Sequence, residues 1–113
     1  MKHNNNNIKK LIAALEVFQE IDPTMSLPSM LAFLHYHDLD GRSGNRSIVE
    51  ERLGMTGATA SRATLYWHEY KAPKIKGHNK LERYEDPEDR RYQVVRYNRD
   101  GLDLLGKISE ALD

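Results

Sequence analysis

Between Ile8 and Ile21 the apolar residues recur at helical spacing. Ile8, Leu11, Ile12, Leu15, Phe18 and Ile21 form one stripe, and Lys9, Lys10, Glu16 and Glu20 take the other face. Asp22-Pro23 ends this helix, because the residue before a proline is pushed out of the helical region. Pro28 to Asp38 is apolar nearly all round, with Met30, Leu31, Phe33, Leu34 and Tyr36, so it predicts a central core helix. Ser26 is its N-cap and Pro28 sits in its first turn. Residues 38–46 are rich in Gly, Asp and Ser and read as a loop. Leu81 to Tyr84 and Tyr92 to Tyr97 predict a two-stranded hairpin turned at Asp86-Pro87. After an Asn98 or Asp100 cap, Gly101 to Leu112 predicts a last helix with Leu102, Leu105, Ile108 and Leu112 as its stripe. Gly106 weakens that helix relative to alanine.

The chain is organised around Ser47 to Trp67. Ser47 and Glu50 have the S-x-x-E spacing of a capping box and predict a helix start. Gly54 can take the left-handed backbone that ends this helix. Thr56 is placed to cap a second helix by accepting from an amide near Thr59. That helix should run through Ala60, Ala63, Thr64, Trp67 and Tyr70 until Pro73 stops it, with Trp67 as a core anchor. Its opening, Gly57 to Arg62, is small and polar and ends in a guanidinium. A helix entering a major groove needs this: little bulk, hydroxyls for phosphates or base edges, and an arginine for guanine or phosphate. The bland alternative is a helical hairpin that only packs in a core.

Two charged stretches follow. Lys71 to Lys80 carries four lysines and no acid, which suits a segment beside a DNA backbone or a plain solvated loop. The hairpin turn carries Arg90 and Arg91 next to Asp89. A carboxylate can hold a guanidinium in position for a narrow, electronegative minor groove; otherwise the pair is an ordinary surface ion pair. The DNA-facing set is therefore Thr56, Ala58, Thr59, Ser61, Arg62, Lys74, Lys76, Arg90 and Arg91, with Asp89 positioning the turn arginine.

Composition bounds the rest. The chain has 113 residues, enough for one modest core, and a formal net charge of zero. From Asp40 to Arg99 there are 13 Lys or Arg against 9 Asp or Glu, while Asp100 to Asp113 has 1 against 4, so the positive charge gathers where DNA contact is expected. There is no cysteine, which excludes disulfides and thiol chemistry. No apolar run approaches the roughly 18 residues of a membrane span, and no signal-peptide core opens the chain. His35 and His37 lie two apart, the wrong spacing for joint ligation on a helix, and Arg42 breaks the calcium-loop pattern begun by Asp38 and Asp40. No metal or cofactor is expected. The five histidines fit no nucleophile or metal motif, so an enzyme is not expected.

SIVEERLGMTGATASRA (residues 47–63) resembles the reading helices of the MarR family of transcription regulators, and YEDPEDRRYQVVRYNRDGLDLL (residues 84–105) resembles its wing and the start of its last helix, with D-P-x-D-R-R as the specific element. The likeness covers about residues 24–112, and the longer segment before the wing resembles the small members encoded by bacteriophages. The resemblance implies a mainly α fold with a small β-hairpin, a winged helix-turn-helix over residues 8–113 flanked by short terminal helices; residues 1–7, with four consecutive asparagines, read by composition as a disordered leader. It implies a sequence-specific regulator of double-stranded DNA, cytoplasmic in a bacterium or phage-infected host. The recognition helix would enter the major groove through Thr59, Ser61 and Arg62, and Arg90 or Arg91, held by Asp89, the minor groove. Members are homodimers. Here the dimer would be small, built from Ile8, Leu11, Ile12 and Leu15 with Leu105, Ile108 and Leu112. The competing expectation is a winged-helix module that binds a protein, such as a host factor, and DNA weakly or not at all.

Overall fold

The computed structural model describes residues 2–113, and its first helix, α1 (Asn5–Ile21), starts three residues before the apolar stripe does. The Asn4 side chain accepts from the amides of Asn6 at 2.8 Å and Asn7 at 3.4 Å. The asparagine run thus supplies a helix cap and a first turn instead of a disordered leader, because asparagine satisfies free N-terminal amides well. Met1 lies outside the described residues. Helix α2 (Leu27–His35) is capped by Ser26 and continues as a 3₁₀ turn over Tyr36–Asp38. Then come α3 (Asn45–Leu53), α4 (Gly57–Leu65), β1 (Tyr70–Ala72), β2 (Ile75–Lys76), β3 (Leu81–Glu85), β4 (Gln93–Tyr97) and α5 (Arg99–Ala111). The result is a mixed α/β domain of five helices and two small antiparallel two-stranded sheets, β1–β2 and β3–β4.

The core centres on Trp67, fully buried against Phe18 of α1 and Phe33 of α2, with ring centroids 6.2 and 4.8 Å away. Its indole N–H donates to the Ser29 carbonyl at 2.6 Å, and the Tyr97 hydroxyl donates to the Phe33 carbonyl, also at 2.6 Å. Large aromatic rings bury much area, and these bonds keep their polar ends satisfied. Trp67 is the expected anchor, but it is not on a helix. Helix α4 stops at Leu65, and the carbonyls of residues 66–69 accept from the amides of residues 77–81. The chain doubles back there because these backbone groups find partners across the turn, and Tyr70–Ala72 is a strand. A short aromatic run has no period that separates the two outcomes.

The start of α3 also differs from expectation. Its N-cap is Gly44, without a side-chain cap bond; Ser47 lies exposed inside the helix, and Glu50 pairs with Arg46 at 3.1 Å rather than capping. The start is fixed from outside. Buried Asn45 donates from Nδ2 to the carbonyls of Leu39 (2.8 Å) and Val95 (2.7 Å), and its Oδ1 accepts from the Val95 amide at 2.9 Å. Beside it Gly41 donates to Val95, Gly44 donates to Gln93, and Ser43 bridges Val94. Residues 41–44 thereby run along the free edge of β4, joined to it by a single bridge at Ser43 and the two flanking backbone bonds.

Helix α5 packs along α1, capped by Asn98, whose Oδ1 accepts from the Gly101 amide at 2.8 Å. It buries Gly101, Leu104 and Ile108, while Leu102 and Leu112 face outward and Leu105 is half-buried. The predicted stripe is rotated because Gly101 sits against the Lys80 carbonyl, where a Cβ would overlap the oxygen. Ile108 is thus a core residue and not a dimer contact. On α1 only Ala14 and Phe18 are buried; Ile8, Leu11, Ile12 and Leu15 are exposed.

Asn45→Ala should lower the unfolding free energy by about 3 kcal/mol in urea titration, because the Val95 amide and the Leu39 carbonyl lose their partner in a dry site. Two glycines of α5 should respond with opposite signs: Gly101→Ala lowers the thermal midpoint, whereas Gly106→Ala, with nothing within 4 Å of its added Cβ, raises stability by up to about 1 kcal/mol.

Candidate functional site

Helix α4 turns Ala60, Ala63 and Thr64 into the core, which leaves Ala58 and Arg62 on its outer face. Thr56 caps it as the sequence predicts: its Oγ1 accepts from the Thr59 amide at 3.4 Å. The hydroxyls of Thr56 and Thr59 are bonded at 3.0 Å, and Arg62 Nη2 donates to Thr59 Oγ1 at 3.4 Å. Thr56, Thr59 and Arg62 thus form a ladder along the exposed start of the helix. Gly54, with φ +63°, ends α3 and sets the turn before it. Ser61 belongs to a different network. It is half-buried and accepts from Arg46 Nη2 at 3.0 Å, which leaves its proton and one lone pair for an outside partner. Arg46 pairs with Glu50 one turn along α3 and bridges α3 to α4 through Ser61; its i,i+4 spacing to Glu50 could have suggested the first contact but not the second.

The tip of the β3–β4 hairpin is built on two aspartates. Buried Asp86 accepts from the Ser43 hydroxyl and from the Glu88 amide at 2.9 Å, which ties the tip to the loop before α3. The Ser43 bond, then the amide, hold its carboxyl below the usual carboxylate range. Asp89 accepts from Arg91 Nε at 3.0 Å, Nη2 at 2.7 Å and the Arg91 amide at 3.1 Å. This fork holds the Asp89 carboxyl low while Arg91 remains 82% exposed. Arg90 is exposed and has no ion-pair partner among the described residues. Asp89 therefore positions Arg91, and Arg90 is the freer cation. Nothing in the sequence pairs Asp86 with Ser43, since 43 positions separate them.

Lys74 and Lys76 are exposed on the β1–β2 hairpin, with Lys74 at its turn at φ +62°. Lys71 and Ala72 of β1 share a groove of about 530 Å³ with Thr59, Arg62 and the start of α2. The hairpin therefore edges the outer face of α4, which brings Lys71 to the ladder although sequence reasoning did not single it out. Below α4, the Tyr66 hydroxyl donates to Asp22 Oδ2 at 2.7 Å and pulls the Asp22 carboxyl down to about 2. His68 is buried, its Nε2 has no partner among the described residues, and burial, then the charges of Arg83 and Arg46, lower it to about 4.

Among the described residues, no helix is long and apolar enough to cross a membrane, and no group of three or more metal-ligating side chains is assembled. No family model, curated protein or solved structure matches the chain.

The folded His68 binds its proton at about 4 against an ordinary value of 6.5, so the unfolded chain takes up a proton that the native state refuses. The His68 contribution should be flat above pH 7, and stability should fall as pH drops from about 6.5 towards 4, by about 2 kcal/mol between pH 7 and pH 5. His35 and His78, also lowered by burial, add to the same slope. Urea midpoints of His68→Phe at pH 7 and pH 5 should differ much less than those of the native sequence.

Proposed function

We propose that the chain is a winged helix-turn-helix DNA-binding transcription regulator of the MarR type, working as a homodimer. Helices α2, α3 and α4 supply the helix-turn-helix, with α4 the reader; β3–β4, edged by residues 41–44, is the wing. One observation carries this reading: the exposed ladder of Thr56, Thr59 and Arg62 at the start of a capped helix, where small neighbours leave the backbone open to approach. In the major groove Arg62 would meet a base edge or a phosphate, and Ala58 would allow close contact. The Asp89–Arg91 fork supports the wing's part, because a guanidinium already oriented loses less freedom on entering a minor groove. For the dimer, the support is the bare stripe of Ile8, Leu11, Ile12 and Leu15 on α1, with Leu112 of α5 also exposed.

A second reading has one observation in its favour. The net charge is zero, unusual for a DNA binder, and it fits a module of the same shape that binds a protein.

The test is selection from a random-sequence duplex pool, followed by anisotropy titration at two salt concentrations. An enriched inverted repeat with salt-sensitive affinity is expected. Arg62→Ala should cost tenfold or more and relax preference at one position; Arg90→Ala with Arg91→Ala should weaken binding across sequences. Failure of the native chain to bind any duplex at low salt would transfer the assignment to the protein-binding module. Leu11→Asp with Ile12→Asp should give a folded monomer by light scattering and circular dichroism, since both side chains are solvent-facing in the single chain, with a thermal midpoint that no longer rises with protein concentration.

A further inference from the structure

Between the last turn of α4 and strand β3 lies an open concavity of about 850 Å³. Every charged side chain lining it is a cation: Lys71, Lys74 and Lys76 from the β1–β2 hairpin, and Arg83 from β3. The rest of its lining is Leu65, Tyr70, Ala72 and Pro73, mostly apolar surface between the cations. The hairpin is not loosely attached, because the backbone pairing of residues 66–69 with 77–81 holds both its ends.

We propose that this concavity seats the backbone of one DNA strand, phosphates on the four cations and deoxyribose on the apolar surface between them. The inference rests on the DNA-binding reading above and adds to it. In a duplex, the structure separating a major groove from the adjacent minor groove is a phosphodiester backbone. A protein that places α4 in one groove and the β3–β4 hairpin in the next must straddle that backbone, and the concavity lies between these two elements. Cations with apolar surface between them match the alternation of phosphate and sugar along a strand. Lys71 extends the match, since it also borders the groove that holds Thr59 and Arg62.

Lys74 supplies an independent sign. It sits at φ +62°, a conformation that glycine holds without strain and lysine does not. Strain kept at an exposed turn points to a use for the side chain that bears it. Contacts of this kind position a protein without reading sequence, so the lysines set affinity and footprint and leave base preference to α4 and the wing.

The test compares the native chain, Arg62→Ala, the triple variant Lys71→Gln/Lys74→Gln/Lys76→Gln, and Lys74→Gly, on the duplex recovered by selection with the native chain. Each lost phosphate contact lowers the slope of log affinity against log salt by about 0.9, so the triple variant should lose about two to three units of slope. Its ratio of affinities for the selected and a scrambled duplex should stay as in the native chain, and ethylation interference should vanish at the phosphates between the two contacted grooves. Lys74→Gly should bind more weakly yet unfold at a higher temperature, a combination that a purely structural lysine would not give. If Arg62→Ala loses binding while the triple variant keeps the native slope and interference pattern, the backbone seat is wrong, the regulator reading stands, and the concavity belongs to another partner, such as an acidic peptide. If the native chain binds no duplex, both fall together.

Discussion

Asn45 stands where a strand residue would otherwise be needed. Its amide meets the Val95 backbone as a neighbouring peptide group would, giving and accepting one bond each, and its second proton reaches Leu39. One side chain therefore joins the end of the α2 segment, the first turn of α3 and the centre of β4. The position of α3 fixes that of α4 through the Gly54 turn and the Arg46 bridge, and β4 carries the hairpin tip. The proposed reading helix and the proposed wing are thus held to one frame by a buried group that bonds β4 directly and reaches α4 only through α3. A buried amide with all its bonds made favours one arrangement strongly, because every alternative leaves polar atoms unpaired away from water.

Charge is distributed by the same logic. The zero balance hides a division of labour among the arginines. Arg46 is committed to Glu50 within α3 and to Ser61 of α4, and Arg52 to Asp38 at the end of the α2 segment. Arg62, Arg90 and the lysines of the β1–β2 hairpin have no acid beside them in any ion pair among the described residues. Counting charges over the chain adds these groups together, although only the second kind is available to a polyanion. Arg91 is intermediate, paired but exposed, so its pairing sets direction more than it neutralises.

Local rules made much of this legible. The Ser26, Thr56 and Asn98 caps, the Gly54 turn, the Trp67 anchor and the existence of the β3–β4 hairpin all follow from residue types and spacing within each stretch. The errors came where a distant partner decides. Ser47 and Glu50 satisfy the capping-box spacing, but Val95 claims Asn45 and starts α3 earlier. Tyr66 to Tyr70 keeps a helical look, but the amides of residues 77–81 draw its carbonyls into an extended path. The stripe on α5 is rotated by one glycine pressed against Lys80. Of the candidate site, α4's exposed threonines and arginine could be read directly. Ser61's engagement by Arg46, the Ser43–Asp86 tie and the place of Lys71 beside Arg62 could not, since each joins elements whose relative placement no spacing rule supplies.

The first turns of α1 stand away from the body of the domain, with every side chain from Asn5 to Ala13 at least partly open to solvent. A helix with no packing partner is marginal in water, because its own hydrogen bonds barely outweigh the chain entropy lost in forming them. The Asn4 cap alone cannot hold three turns against fraying. A second copy covering the Ile8–Leu15 stripe, as proposed, would order backbone as well as bury side chains, and secondary structure there would depend on concentration. For a regulator that pairs with its own copy, helix content, assembly and operator occupancy would rise together and more steeply than in proportion to the amount of protein, a sharpness of response obtained from an unsupported stretch of helix with no effector involved.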